Sequence, residues 1–152
     1  MTTDTRPMGT TGRLVPLRPG MFSMPDHLDQ PVKLLGSRCA ACREMFFPQR
    51  AFCANCSSAE MREVKLATQG SVETYTIVRQ QLNGSAMVPP YAIVRVALDG
   101  RPTVQTVMVD CDPEAVRIGD RVEIVAHRIK DDEAGNTVVS FVARPSTGSR
   151  PA

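Results

Sequence analysis

Four of the five cysteines in this 152-residue chain fall in two C-x2-C pairs, Cys39-Ala-Ala-Cys42 and Cys53-Ala-Asn-Cys56. A C-x2-C turn brings two thiolates onto one metal ion. Two such turns separated by a short loop supply the four sulfurs of a tetrahedral site. A disulfide framework is a poor alternative, because the total is odd and the fifth cysteine, Cys111, stands far from the others. Zn²⁺ is the default occupant of an S4 cage, with iron as the chemical alternative. Four protein ligands leave no open position for a catalytic water, so the site is expected to be structural. The intervening Phe46, Phe47 and Phe52 are expected to form an apolar plug beside the metal.

Around this cluster the chain divides by composition. Residues 1–31 carry five prolines and read as an irregular arm, with one short docking piece around Leu14–Phe22. Residues 32–67 hold the cysteines, residues 68–145 are rich in Val, Ile and Thr, and residues 146–152 form a Ser/Pro/Gly tail expected to be mobile. The third segment predicts five strands: Ser71–Arg79, Tyr91–Leu98, Thr103–Val109, Arg121–His127 and Thr137–Ala143. In the second, Ala92, Val94, Val96 and Leu98 share one face; in the fourth, Val122, Ile124 and Ala126 do. The Asp112-Pro113-Glu114 stretch predicts a turn or one helical turn between the third and fourth strands. Five short strands with such a link fit a closed five-stranded barrel of the OB type, and an SH3-like barrel would pattern similarly.

Charge narrows the function classes. Net charge is +2, too balanced to signal nucleic acid or an anionic membrane. The ribbon segment carries six Lys/Arg against three Glu and, with four thiolates on one Zn²⁺, comes to about +1. The barrel segment, Gly70–Arg144, has eight Lys/Arg against ten Asp/Glu. Its aromatics are Tyr75, Tyr91 and Phe141, too few for a stacking platform. No apolar run reaches membrane-span length and no secretory signal is visible, so the cytoplasm is the expected compartment. His27 and His127 read as solvated. Cys111 lies between Asp110 and Asp112, whose charges suppress its thiolate. No phosphate-cradling Gly-rich loop and no hydrolase motif is present.

The cysteine ribbon with Phe46-Phe47-Pro48-Gln49-Arg50, the Gly70-Ser71-Val72 entry, Pro89-Pro90-Tyr91 and the Asp110–Glu123 link together resemble the DUF35 family of zinc-ribbon-plus-OB-fold proteins associated with acyl-CoA enzymes. The resemblance covers roughly residues 32–144 and implies a mainly β fold, a rubredoxin-like zinc ribbon followed by an OB barrel. It implies a non-catalytic subunit that completes a thiolase-superfamily enzyme acting on a β-ketoacyl-CoA, with a heterotetramer as the expected assembly. CoA or acyl-CoA at the partner interface is implied in the same way. Aromatic or branched acyl-CoA is the implied substrate class. Metal ligands are then Cys39, Cys42, Cys53 and Cys56, with no catalytic residue in this chain. The expected partner contact is Phe46, Phe47, Pro48 and Arg50, plus the loop before Pro89, because interface cores favour large apolar groups with arginine. A free-standing acyl-CoA-binding module is the competing reading, and a nucleic-acid-binding OB protein is a weaker one.

Overall fold

The computed structural model of the chain describes residues 12–146, so residues 1–11 of the arm and 147–152 of the tail lie outside the described residues. In chain order the strands are β1 (Leu14–Pro16), β2 (Leu34–Cys39), β3 (Met45–Phe46), β4 (Met61–Leu66), β5 (Gln69–Val78), β6 (Tyr91–Leu98), β7 (Thr103–Met108), β8 (Arg121–Asp131) and β9 (Thr137–Pro145). The Asp112 link forms a 3-10 turn over Pro113–Ala115, capped where the Glu114 amide donates to Asp112 Oδ1 at 2.9 Å.

The strands β5 to β9 close into a barrel. The neighbours run β9, β7, β6, β5, β8, and β8 pairs back onto β9. Counted from the first barrel strand, that is the order 1-2-3-5-4-1 of the OB type, with β7 and β9 meeting in parallel at Met108 and Ala143. This parallel contact separates the fold from the SH3-like alternative. The strand ends follow the alternation closely, except that β8 runs past His127 to Asp131 with a register shift between Arg128 and Lys130.

Alternation also explains the core. Ala92, Val94, Val96 and Leu98 of β6 are buried, as are Val122, Ile124 and Ala126 of β8. At Gly70 the chain crosses β6 closely. A Cβ there would press on the Ala97 carbonyl oxygen and lie 2.8 Å from Val96 Cγ1, so only glycine fits.

The ribbon is a three-stranded sheet, β3-β2-β4, with β2 antiparallel to both neighbours. Its base is not separate from the barrel: Val32, Leu34 and Leu66 belong to the same buried cluster as the barrel residues. The arm is less irregular than its prolines suggest. Leu14–Pro16 adds to β9 in parallel, the Leu17 amide continues the ladder to the Val139 carbonyl at 2.8 Å, and Phe22 bridges to Leu34. Proline is tolerated here because β1 is an edge strand.

Candidate metal centre and contact surfaces

Each C-x2-C pair folds into the same turn. In the first, the Arg43 amide donates to the Cys39 carbonyl and the Cys39 amide to the Glu44 carbonyl, both at 2.9 Å. In the second, Ser57 donates to Cys53 and Cys53 to Ser58, again at 2.9 Å. Amides also point at sulfur: Cys42 at Cys39 Sγ (3.4 Å), and Asn55 and Cys56 at Cys53 Sγ (3.3 and 3.4 Å). Such donors favour thiolate over thiol. The turn requires the residue after the second cysteine to be left-handed, and Arg43 (φ 66°) and Ser57 (φ 65°) both are. Glycine is the usual occupant of such a position, so nothing in the composition marks these two residues.

The two turns face each other. Cys39 Sγ lies 3.5 Å from Cys56 Sγ, Cys42 Sγ lies 3.5 Å from Cys53 Sγ, and all four sulfurs sit within 4.8 Å of one another. A tetrahedron with metal–sulfur bonds of ~2.3 Å places its sulfurs ~3.8 Å apart, so this set fits one metal ion. Cys39 and Cys53 are buried, Cys42 is half-buried and Cys56 is exposed. The packed thiols titrate far apart. Hydrogen bonds from Asn55 and the Glu44 backbone lower Cys42 to about 6. At Cys56 the Ser58 amide pulls the value down, but the contact with Cys39, burial, and Cys42 and Cys53 together push it up to about 12. Four sulfurs this close do not all ionise on their own; a divalent cation is what stabilises four negative charges in one place.

The four residues expected to contact a partner divide. Phe47 turns inward, its ring meeting Phe141 edge-on at 5.4 Å, and Phe141 in turn meets Phe22 at 6.2 Å. Phe46 is half-buried with the Arg50 guanidinium 5.5 Å above its ring. The Arg50 amide donates to the buried Ser37 hydroxyl at 3.0 Å. Pro48 and Arg50 are exposed. Phe52 is not part of an internal plug: it is 63% exposed, because the second knuckle turns it outward immediately before buried Cys53.

A second surface forms where the arm and the loop between β5 and β6 overhang the barrel. A cleft of about 410 Å³ lies between Leu17 and Met21 of the arm, Met87 of the loop, and Thr106 and Phe141 of β7 and β9. Leu17, Leu82 and Val88 of the same two segments are exposed. Cys111 stays a thiol: burial, then Asp112, Asp110 and Asp120, raise its pKa. His127 is half-buried on β8, and His27 is exposed. Among the described residues, no helix is long and apolar enough to cross a membrane.

Comparison with known proteins agrees with this geometry. Residues 32–62 match the family model described as the rubredoxin-like zinc ribbon domain of ChsH2, and residues 63–127 match that of the ChsH2 C-terminal OB-fold domain. A DUF35 domain-containing scaffold protein of Methanothermobacter thermautotrophicus is 31% identical over 123 residues, spanning 80% of this chain and 92% of its own. The benzoylsuccinyl-CoA thiolase subunit BbsA of Thauera aromatica is 25% identical over 128 residues, spanning 81% of this chain and 87% of its own. A solved structure of an Ltp2-ChsH2(DUF35) aldolase superposes with a TM-score of 0.62 at 26% identity, over 74% of this chain and 84% of that one. With its ribbon, its OB-order barrel and relatives matching along most of its length, this chain belongs to the DUF35 family.

Proposed function

We propose that this chain is a zinc-stabilised accessory subunit of a cytoplasmic thiolase-superfamily enzyme acting on a β-ketoacyl-CoA. The observation that carries the reading is the closed set of four sulfurs, Cys39, Cys42, Cys53 and Cys56, in a chain whose relatives are named as scaffolds and a thiolase subunit. Bound there, Zn²⁺ fixes the shape of the ribbon, and with every ligand position held by protein it offers no place to a substrate. The ribbon (32–67) and barrel (68–145) are then the two working units: the metal end presents side chains, and the barrel holds them rigidly.

The 410 Å³ cleft that exposed Leu17 lines, with Leu82 and Val88 also exposed on the loop before β6, supports a surface that a larger protein covers. Phe46, Pro48 and Arg50 form a second contact of the same kind, with CoA or acyl-CoA at or near the joint. An aromatic acyl group is the favoured substrate because one relative serves a benzoylsuccinyl-CoA thiolase. A dimeric catalytic partner gives a heterotetramer.

Co-expression with a thiolase-superfamily chain, followed by mass measurement and thioester-cleavage assays on each component, tests this. The expected result is a stoichiometric complex in which activity requires the catalytic chain. A monomer that ignores the partner but binds acyl-CoA would replace this reading with that of a free-standing binding module. Turnover by this chain alone would end it.

A further inference from the structure

The arginines of this protein are distributed unevenly in their pairing. In the barrel, Arg79, Arg95, Arg101, Arg121, Arg128 and Arg144 each lie against a carboxylate. Arg117 donates to the carbonyls of Glu114 and Val116. On the ribbon, Arg38, Arg43 and Arg62 have neither an ion pair nor a side-chain hydrogen bond among the described residues. They are exposed and line one depression of about 450 Å³ together with Cys39, Ala40, Glu63 and Val64. Glu63 reaches its rim, but the Glu63 carboxylate accepts from Gln49 Nε2 at 3.0 Å.

The register makes this arrangement costly. Arg38 of β2 and Arg62 of β4 are direct cross-strand partners, on the same face of the sheet as Val64. Like charges directly opposite one another destabilise an antiparallel pair. The arrangement becomes favourable when an anion sits between the two guanidinium forks, and a carboxylate matches that fork with two parallel hydrogen bonds.

We infer that the Arg38–Arg62 pair, with Arg43 beside it, is a docking surface for a carboxylate-bearing segment of the partner protein. This rests on the subunit reading above. A protein carboxylate is favoured over nucleic acid because the three arginines cluster around a single depression of the ribbon. The barrel that a polyphosphate chain would have to follow carries more acidic than basic residues. Exposed Ala40 and half-buried Val64 give the patch apolar surface that a protein contact would cover, where a desolvated arginine gains most.

The test measures binding of the full-length, zinc-loaded chain to its thiolase-superfamily partner at about 50 and about 300 mM NaCl, conditions of weak and strong screening. R38Q/R62Q is expected to weaken binding about ten-fold or more at the lower salt and to flatten the salt dependence. R38K/R62K should keep the salt dependence, and the barrel-face variant R95Q/R128Q should stay within about two-fold of the parent. Zinc content, measured in parallel, should be equal in all four proteins. Parent-like affinity for R38Q/R62Q overturns the docking surface and leaves the subunit reading intact. Loss of zinc in R38Q/R62Q also overturns it, by assigning the arginines to the metal centre. So does tighter binding of single-stranded oligothymidylate than of the partner. Failure of the parent chain itself to bind the partner overturns the subunit reading and the docking surface together.

Discussion

Between Val32 and Ala67 the buried side chains are Val32, Leu34, Ser37, Cys39, Cys53 and Leu66, and Val32, Leu34 and Leu66 belong to the core that continues into the barrel. What remains toward the tip of the ribbon is one serine and two cysteines. By contrast, β6 alone buries Tyr91, Ala92, Val94, Val96 and Leu98. Full burial of a large apolar side chain contributes about 1.5–3 kcal/mol, so the barrel has many such contributions and the tip has almost none. One part of the chain is held by burial, and the other by coordination. The ribbon base, built into the barrel core, is where the two meet.

The largest expected effect breaks the ribbon alone. Structural zinc in free zinc-finger peptides contributes about 10–16 kcal/mol, and a tip with so little apolar burial depends on its metal in the same way. Stringent chelation, or Cys39→Ser, should abolish metal binding and remove hydrogen-exchange protection from β2 and β3 near the knuckles. Protection in β6 and β8 should survive. Equal loss in both regions would show that they fold as one unit.

Phe141→Ala attacks the other side. Removing a buried phenylalanine costs about 3–5 kcal/mol, which chemical denaturation would read as a lower midpoint. Because Phe141 also carries the rings of Phe22 and Phe47, this variant should loosen the arm and the ribbon as well as the barrel, which Val94→Ala should not.

Acid should separate the regions by order. Metal binding needs deprotonated sulfurs, so protons compete for the site as pH falls, starting from thiols whose ordinary pKa is about 8.5. The barrel's ion-paired and hydrogen-bonded carboxylates behave differently. Asp99 is held below the usual range by Arg121, Asp131 by Arg128, and Asp132 by Asn136. Their contribution is fully present above the ordinary carboxylate pKa of about 4 and is lost only as pH falls through the lowered folded values. An acid titration followed by zinc release and by barrel circular dichroism should therefore show metal leaving first.

The smallest effect sharpens the ribbon. Ser57 is left-handed at φ 65°, and Ser57→Gly should relieve about 1 kcal/mol of backbone strain. It should slow metal release to a chelator without moving the barrel's midpoint. A faster release would mean that the serine hydroxyl matters more than its backbone.

Much of this architecture was legible as pattern. Period-two alternation predicted the strands of the barrel, because each has one buried face. The paired cysteine spacing predicted which sulfurs would meet. What patterning missed needed the third dimension. OB order rather than SH3-like order depends on the parallel contact of Met108 with Ala143, which no local signal encodes. Phe46, Phe47 and Phe52 sit within a few residues of each other, yet one turns inward, one lies under an arginine and one faces solvent. Spacing alone does not distinguish them. Arg38 and Arg62 became neighbours only through the register of β2 on β4.

The Phe141 ring is a shared keystone for segments that the chain order keeps far apart. Anyone building a chimera by exchanging this metal-binding module with that of a relative would have to move Phe22 and Phe47 as a matched set with the barrel position they touch. A swap drawn at the obvious seam before β5 would leave a mismatched aromatic joint.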